Sequence, residues 1–425
     1  MKRILSLVLC FALLSALIFS LASCGKSDDT ETDAPAKGST TLYVYNWGEY
    51  ISDGSEGSLD TNKEFEKYCR EVLGKNVTVN YSLYSSNEDL YAKLSSGAVS
   101  YDVIIPSDYM IARLAAEGLL KEMNPKDKIA NYKYIDEKFK GLYYDPEEKW
   151  SVPYTYGTVG IIYNTGIVRE DDENIGSWSL MWDEEYAGNI LQFNNPRDAF
   201  GTAQYYQKSS VNSDDLTTWD SALALLKKQK SVVQGYVMDE VFNKMKGGSA
   251  AIAPYYAGDY FTMYADNEDL AFYHPEEGTN VFVDAMCIPA STKNYDLALE
   301  YINFMLSKEV AIANAEYICY ASPNSLVYED DEYIEYMTEE IHPDAISVLY
   351  DFDMSNMEFF HDLPDATRDH MNSLWEELKI ESEIGAAVYI ICLLIVIFLV
   401  VLLVSRIIIN RRRRFFFEKG DMTHE

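Results

Sequence analysis

The stretch "YNWGEY" (Tyr45 to Tyr50) sets two large aromatics beside a carboxylate, directly after a short apolar run. Similar groups recur further along. Ser107, Asp108 and Tyr109 follow "YDVIIP", Asn195, Arg197 and Asp198 follow "NILQFN", Tyr256 closes "SAAIAPYY" with Asp259 after it, and Phe282 and Asp284 lie within "NVFVDAMCIPA". Acids alternating with flat rings suit an alkylammonium. Its methylene chain is desolvated against ring faces and its N–H groups donate to carboxylates, while each ring adds a cation–π attraction of ~0.5 to 2 kcal/mol. A buried charge without a partner costs several kcal/mol, so each ammonium needs its own acid. Several acids separated by rings therefore point to a ligand with more than one cationic centre.

Each residue also has a plainer use. Trp47 suits lobe packing as well as a ligand wall, and Glu49 and Asp259 suit solvated turns. Ser86 with Asp89 has the form of a capping box opening the next helix. Asp198 favours a helix N-terminus and Asn195 an N-cap or turn. Tyr256 is one of 34 tyrosines. What sets the group apart is position. Most stand at or just after the ends of apolar runs, and in open α/β sheets ligands bind beyond the carboxyl ends of strands.

The elements needed to hold them are legible. β-like runs begin at Leu42, Val77 and Tyr101, alternating with helix-like runs at 58–73, 88–95 and 109–117. The order βαβαβ predicts a mainly parallel sheet covered by helices. A second set follows: strands at 159–164, 189–194 and 249–256, with helices from about Asp198, at 216–228 and at 237–246. The fold class is thus α/β, and two lobes joined by more than one crossing are expected, since roughly 340 residues exceed one ordinary core.

The chain ends read differently. Lys2, Arg3, an apolar run and small residues before Cys24 have the layout of an export signal over 1–23. "LASC" (Leu21 to Cys24) resembles a bacterial lipobox, which implies a lipid thioether on Cys24 and then a polar tether to residue 40. Residues 384–404 carry no charge and are long enough to cross a bilayer, giving an expected membrane helix at 384–409. Arg406 and Arg411 to Arg414 follow that run, which assigns the basic tail 410–425 to the cytoplasm and the folded part to the outer face. A net charge of −33 repels nucleic acid. Cys69, Cys287 and Cys319, an odd set without paired spacing, are expected as buried small hydrophobes.

Seven motifs in order, "YNWGEY", "SNEDLYAKL", "YDVIIPSDYM", "VPYTYGTVGIIYN", "YYAGDY", "VFVDAMCIPA" and "YASPN", resemble those of the spermidine/putrescine-binding proteins of ABC transporters. The likeness covers about Thr41 to Leu378. It implies a two-lobed, type II periplasmic-binding-protein fold with a hinge, the first lobe built from 41–157 and 259–305 and the second from 158–258 and 306–383. It also implies a polyamine ligand, a permease partner, and no cofactor, metal or catalysis. The cleft would hold Trp47, Glu49, Tyr50, Ser107, Tyr109, Asp198, Tyr256, Asp259, Asp284 and Tyr320. Two departures stand out. Tyr256 occupies a place where relatives often carry Trp, and Asn195 one where spermidine-selective members carry an acid, which tilts the expectation to putrescine. The rivals are a carboxylate-based glycoside-acting enzyme, a calcium site and a tethered sensor ectodomain. No nucleophile motif or phosphate loop supports the first, and aromatics between acids are wasted on the second.

Overall fold

The computed structural model describes residues 39–353, 355–383, 394–401 and 406. The expected leader, Cys24, nearly all of the tether, the tail 410–425 and most of the apolar run 384–404 lie outside these residues. Within that run, residues 394–401 are helical and expose their apolar side chains. No helix among the described residues is long and apolar enough to cross a membrane.

Strand β1 (Thr40–Trp47) pairs parallel with β2 (Val77–Tyr84) in unbroken register, Thr40 facing Val77 and Trp47 facing Tyr84, while β3 (Val103–Ile104) flanks β1 on the other side. The central element is β4 (Ser151–Asn164). Almost every residue along it is buried, as its near-continuous apolar run requires of a strand covered on both faces. Beyond it come β5 (Ile190–Phe193), β6 (Val233–Val237), β7 (Ile252–Tyr256), β8 (Leu270–Tyr273) and β9 (Thr279–Cys287), and the sheet order is β2-β1-β3-β9-β4-β7-β5-β6.

β4 belongs to both halves of this order. Its first part pairs antiparallel with β9, from Ser151 opposite Cys287 to Thr158 opposite Val281. From Val159 on, it pairs with β7 on one edge and, from Ile161, with β8 on the other. The register slips between Pro153 and Thr155, where the proline has no N–H to give the ladder. The chain crosses between halves along β4 and returns along β9, so these two strands must run opposite ways. That is why the sheet is mixed, where a mainly parallel one was expected.

The helices start where their caps dictate. Asp60 accepts from Lys63 N at α1 (Thr61–Glu71), Ser86 from Asp89 N at α2 (Asn87–Ser95), and Ser107 precedes α3 (Asp108–Ala116). Asn195 accepts from Asp198 N at α4 (Pro196–Tyr206), whose proline falls in the first turn, where no N–H is needed. α5 (Leu216–Gln229) follows. The helix expected from Val237 begins later, as α6 (Glu240–Lys246), because Val233 to Val237 are taken by β6 in parallel pairing with β5. Apolar β-branched residues at both ends of that stretch suit a strand better than a helix start. α7 (Ala257–Tyr264) packs on β7 and β8, which places 259–273 beside the second half of the sheet. The return to the first half thus runs along β9, later than the expected boundary at residue 259. α8 (Asp365–Glu383) lies along α5 and leads toward the apolar run. Cys69, Cys287 and Cys319 are free and buried.

Candidate functional site

The carboxyl ends of β1, β5 and β7 and the middle of β9 meet around a cavity of about 70 Å³, room for roughly five waters. Trp47, Tyr50, Ser107, Tyr109, Asp198, Tyr256, Asp259, Asp284 and Tyr320 all line it. Glu49 does not. It is exposed, with φ at 49°, and borders an outer mouth of about 1080 Å³ that it shares with Asp239, Glu240 and, from α8, Trp375 and Glu376. The chain turns sharply after β1 so that Tyr50 can enter the interior, and this aims the intervening carboxylate outward.

Asp284 is the most informative side chain. It sits on β9 with 4 % exposure; its Oδ2 accepts from Tyr50 OH at 2.7 Å, and Oδ1 is buried with no partner. Tyr50 OH also bonds Thr155 Oγ1 of β4. Burial pushes the Asp284 carboxyl up to about 6, while the neighbouring hydroxyls of Ser107 and Tyr50 pull it down. Asp108 lies beside it, accepting from Tyr109 N at 2.7 Å and Val283 N at 3.2 Å, and burial pushes it up to about 8.

On the opposite side, Asp198 accepts from Asn195 Nδ2 at 2.8 Å and from Tyr256 OH at 2.9 Å. Asn195 thus has two jobs: it caps α4, as expected from sequence, and it holds the carboxylate of Asp198. Burial raises the pKa of Asp198, Asp259, Glu88 and Asp239 as well; Asp239 and Glu49 raise Asp259 further by repulsion, and a Tyr320 hydrogen bond opposes this. Burial thus pushes every one of these carboxyls toward its neutral form. Its cation, Arg197, is committed elsewhere: Nη1 donates to Val211 O, and Nη2 to Asn212 Oδ1 and His361 O.

Rings form the rest of the wall. Tyr320 meets Tyr50 edge-on at 5.0 Å, Phe282 meets Tyr256 edge-on at 5.4 Å, and Trp47 leans on Tyr84 at 4.5 Å. Two glycines make these positions possible. A Cβ on Gly157 of β4 would come within 2.9 Å of the Phe282 ring, and one on Gly258 of α7 within 2.3 Å of the Tyr320 ring. The arrangement desolvates a slender chain between rings and offers carboxylates to cationic groups along it. Among the described residues, no group of three or more His, Cys, Asp or Glu is placed to hold a metal ion.

Sequence reasoning missed Glu88, Met238, Asp239, Phe242, Asn280 and Phe360, which also line the cavity. Met238 and Asp239 follow β6 directly, so the rule of looking beyond strand ends would have found them had β6 been read as a strand. Phe360 lies in a stretch with no periodicity to mark it.

The sequence model for bacterial extracellular solute-binding proteins matches residues 62–339. The spermidine/putrescine-binding periplasmic protein of Salmonella typhimurium is 32 % identical over 294 residues, covering 68 % of this chain and 80 % of that protein. Among solved structures, the spermidine/putrescine ABC transporter substrate-binding protein of Streptococcus pneumoniae is 30 % identical with a TM-score of 0.62, covering 80 % of this chain and 99 % of its own. A lipoprotein of Treponema pallidum is 26 % identical with a TM-score of 0.64, again over 80 % and 99 %.

Proposed function

We propose, from the premise that the chain belongs to the bacterial extracellular solute-binding proteins, that its solute is a polyamine of the putrescine/spermidine type, which it delivers to the permease of an ABC transporter. One observation carries the choice of ligand: Asp284 Oδ1 is buried in an aromatic cavity and has no hydrogen-bond donor. Leaving such an acceptor unpaired costs ~1–3 kcal/mol or more, and a ligand ammonium would relieve it. In this reading Asp284 holds one ammonium with Tyr50 and Ser107 beside it, and Asp198 and Asp259 serve further cationic groups. Trp47, Tyr109, Tyr256 and Tyr320 flank the methylenes. Glu49 acts from the rim, by attraction at a distance. Asn195, neutral and spent on Asp198, favours a diamine over a triamine.

The test is a thermal-melt panel on the purified folded part with putrescine, spermidine, cadaverine, amino acids, sugars and Ca²⁺. A ligand at about 100 times its Kd adds ~2.7 kcal/mol of stability, so putrescine and spermidine should raise the Tm clearly. A shift with only a sugar or Ca²⁺ refutes the reading.

The same proposal puts the protein on the outer face of the cytoplasmic membrane, held by a lipid on Cys24 and by the membrane helix expected at 384–409. The lipoprotein name of the Treponema relative agrees with the first anchor. Mass spectrometry of the mature chain should find Cys24 at the N-terminus carrying a diacylglyceryl adduct, and an unmodified or uncleaved N-terminus removes that anchor.

A further inference from the structure

We propose that Tyr143 is the latch that holds the cleft shut, a positioning residue that touches no ligand; the inference rests on the solute-binding reading above. Tyr143 lies in the loop ahead of β4. That loop is fixed to the first half of the sheet by Asp145, whose carboxylate accepts from the backbone N–H groups of Lys149, Trp150 and Ser151, the last being the first residue of β4. Opposite it runs residues 357–361, a strap that belongs to the second half. The strap starts as β10 (Met357–Glu358), paired with Thr279 and Asn280 at the beginning of β9. It is then fastened by Asn212, which donates to Phe359 O and accepts from His361 N, and by Arg197, which donates to His361 O.

Tyr143 bridges the two. Its OH donates to Phe360 O, and its ring lies 5.9 Å from Phe359 and 4.5 Å from the His361 imidazole. The side chain inward of that carbonyl, Phe360, is a wall of the cavity. One hydroxyl therefore joins the loop of one half to the strap that carries a cavity-lining ring in the other, across the gap that opening would widen. Tyr143 itself is 37 % exposed and lines no part of the cavity, so nothing in core packing requires its hydroxyl.

A bond made across the gap in the closed form alone stabilises that form, and its loss speeds ligand release without slowing capture. The experiment compares wild type with Tyr143→Phe, which keeps the ring. With putrescine, stopped-flow measurement should show a release rate about three to ten times faster at an unchanged association rate, the scale of one hydrogen bond. Independently of any ligand, spin labels on α1 and α5 of the empty protein should show by pulsed electron resonance that Tyr143→Phe depletes the short inter-lobe distance. Equal release rates with an unchanged distance distribution overturn the latch. Failure of wild type to bind putrescine overturns the polyamine reading instead, and the distance measurement then still decides the latch.

Discussion

In the proposed reading, Asp284 sets both the affinity for the polyamine and its pH dependence. Burial pushes its carboxyl up to about 6 and that of Asp108 up to about 8, above the ~3.9 of an unfolded aspartate. The folded, empty protein therefore binds more protons than the unfolded chain between those limits. For these two groups stability is greatest in acid and falls as pH rises, from ~4 through 6 for Asp284 and through 8 for Asp108. A bound ammonium favours the ionised acids and expels those protons, so affinity for putrescine should rise with pH from 5 to 8. Asp284→Asn should weaken binding by about tenfold or more, the scale of a charge-assisted hydrogen bond. It should also remove the part of the pH dependence centred near 6, while leaving the Tm of the empty protein at pH 8 no lower than wild type. Calorimetric titrations and melts at several pH values check this, and equal losses in binding and folding would make Asp284 merely structural. At this scale the sequence was informative wherever a strand end could be seen. Trp47 and Tyr50 were legible because an apolar run leads to them, and Asp284, in the middle of β9, because it is an acid inside an apolar run. Glu49 misled because alternation cannot reveal a left-handed turn that aims one residue outward.

At the scale of elements, the site depends on two glycines that let rings approach the backbone. Gly258 opens α7 with the Tyr320 ring against it. Gly258→Ala should displace that ring from the cavity and weaken putrescine binding by about tenfold, with a stability loss of ~1–3 kcal/mol from overpacking. A crystal structure of the variant with Tyr320 unmoved and full affinity would contradict this. The caps at Ser86 and Asn195 were readable from sequence because a cap is a local bond between residues three apart. β6 was not, because Val237 and the residues after it also satisfy a helical pattern, and only pairing with β5 decides between the two. The strap at 357–361 is held by Asn212 and Arg197, which lie about 150 residues away, and no local pattern reports such partners.

At the scale of the molecule, the two-lobed α/β architecture followed from the alternation of runs and from chain length, whereas the way the lobes join did not. That β4 would exchange β9 for β7 at Thr158 is a matter of long-range pairing. The acidic excess of the whole chain, −33, continues into the cleft mouth, where Glu49, Asp239, Glu240 and Glu376 gather, so a polycation meets a falling potential on its way in. One side of that mouth is Trp375 and Glu376 of α8, the last long helix before the apolar run. Under the proposed anchoring, with that run seated in a bilayer, the opening sweeps only a shallow shell above the lipid. Handing over cargo would then become a meeting between neighbours in a plane, governed by effective concentration and with no journey through bulk fluid.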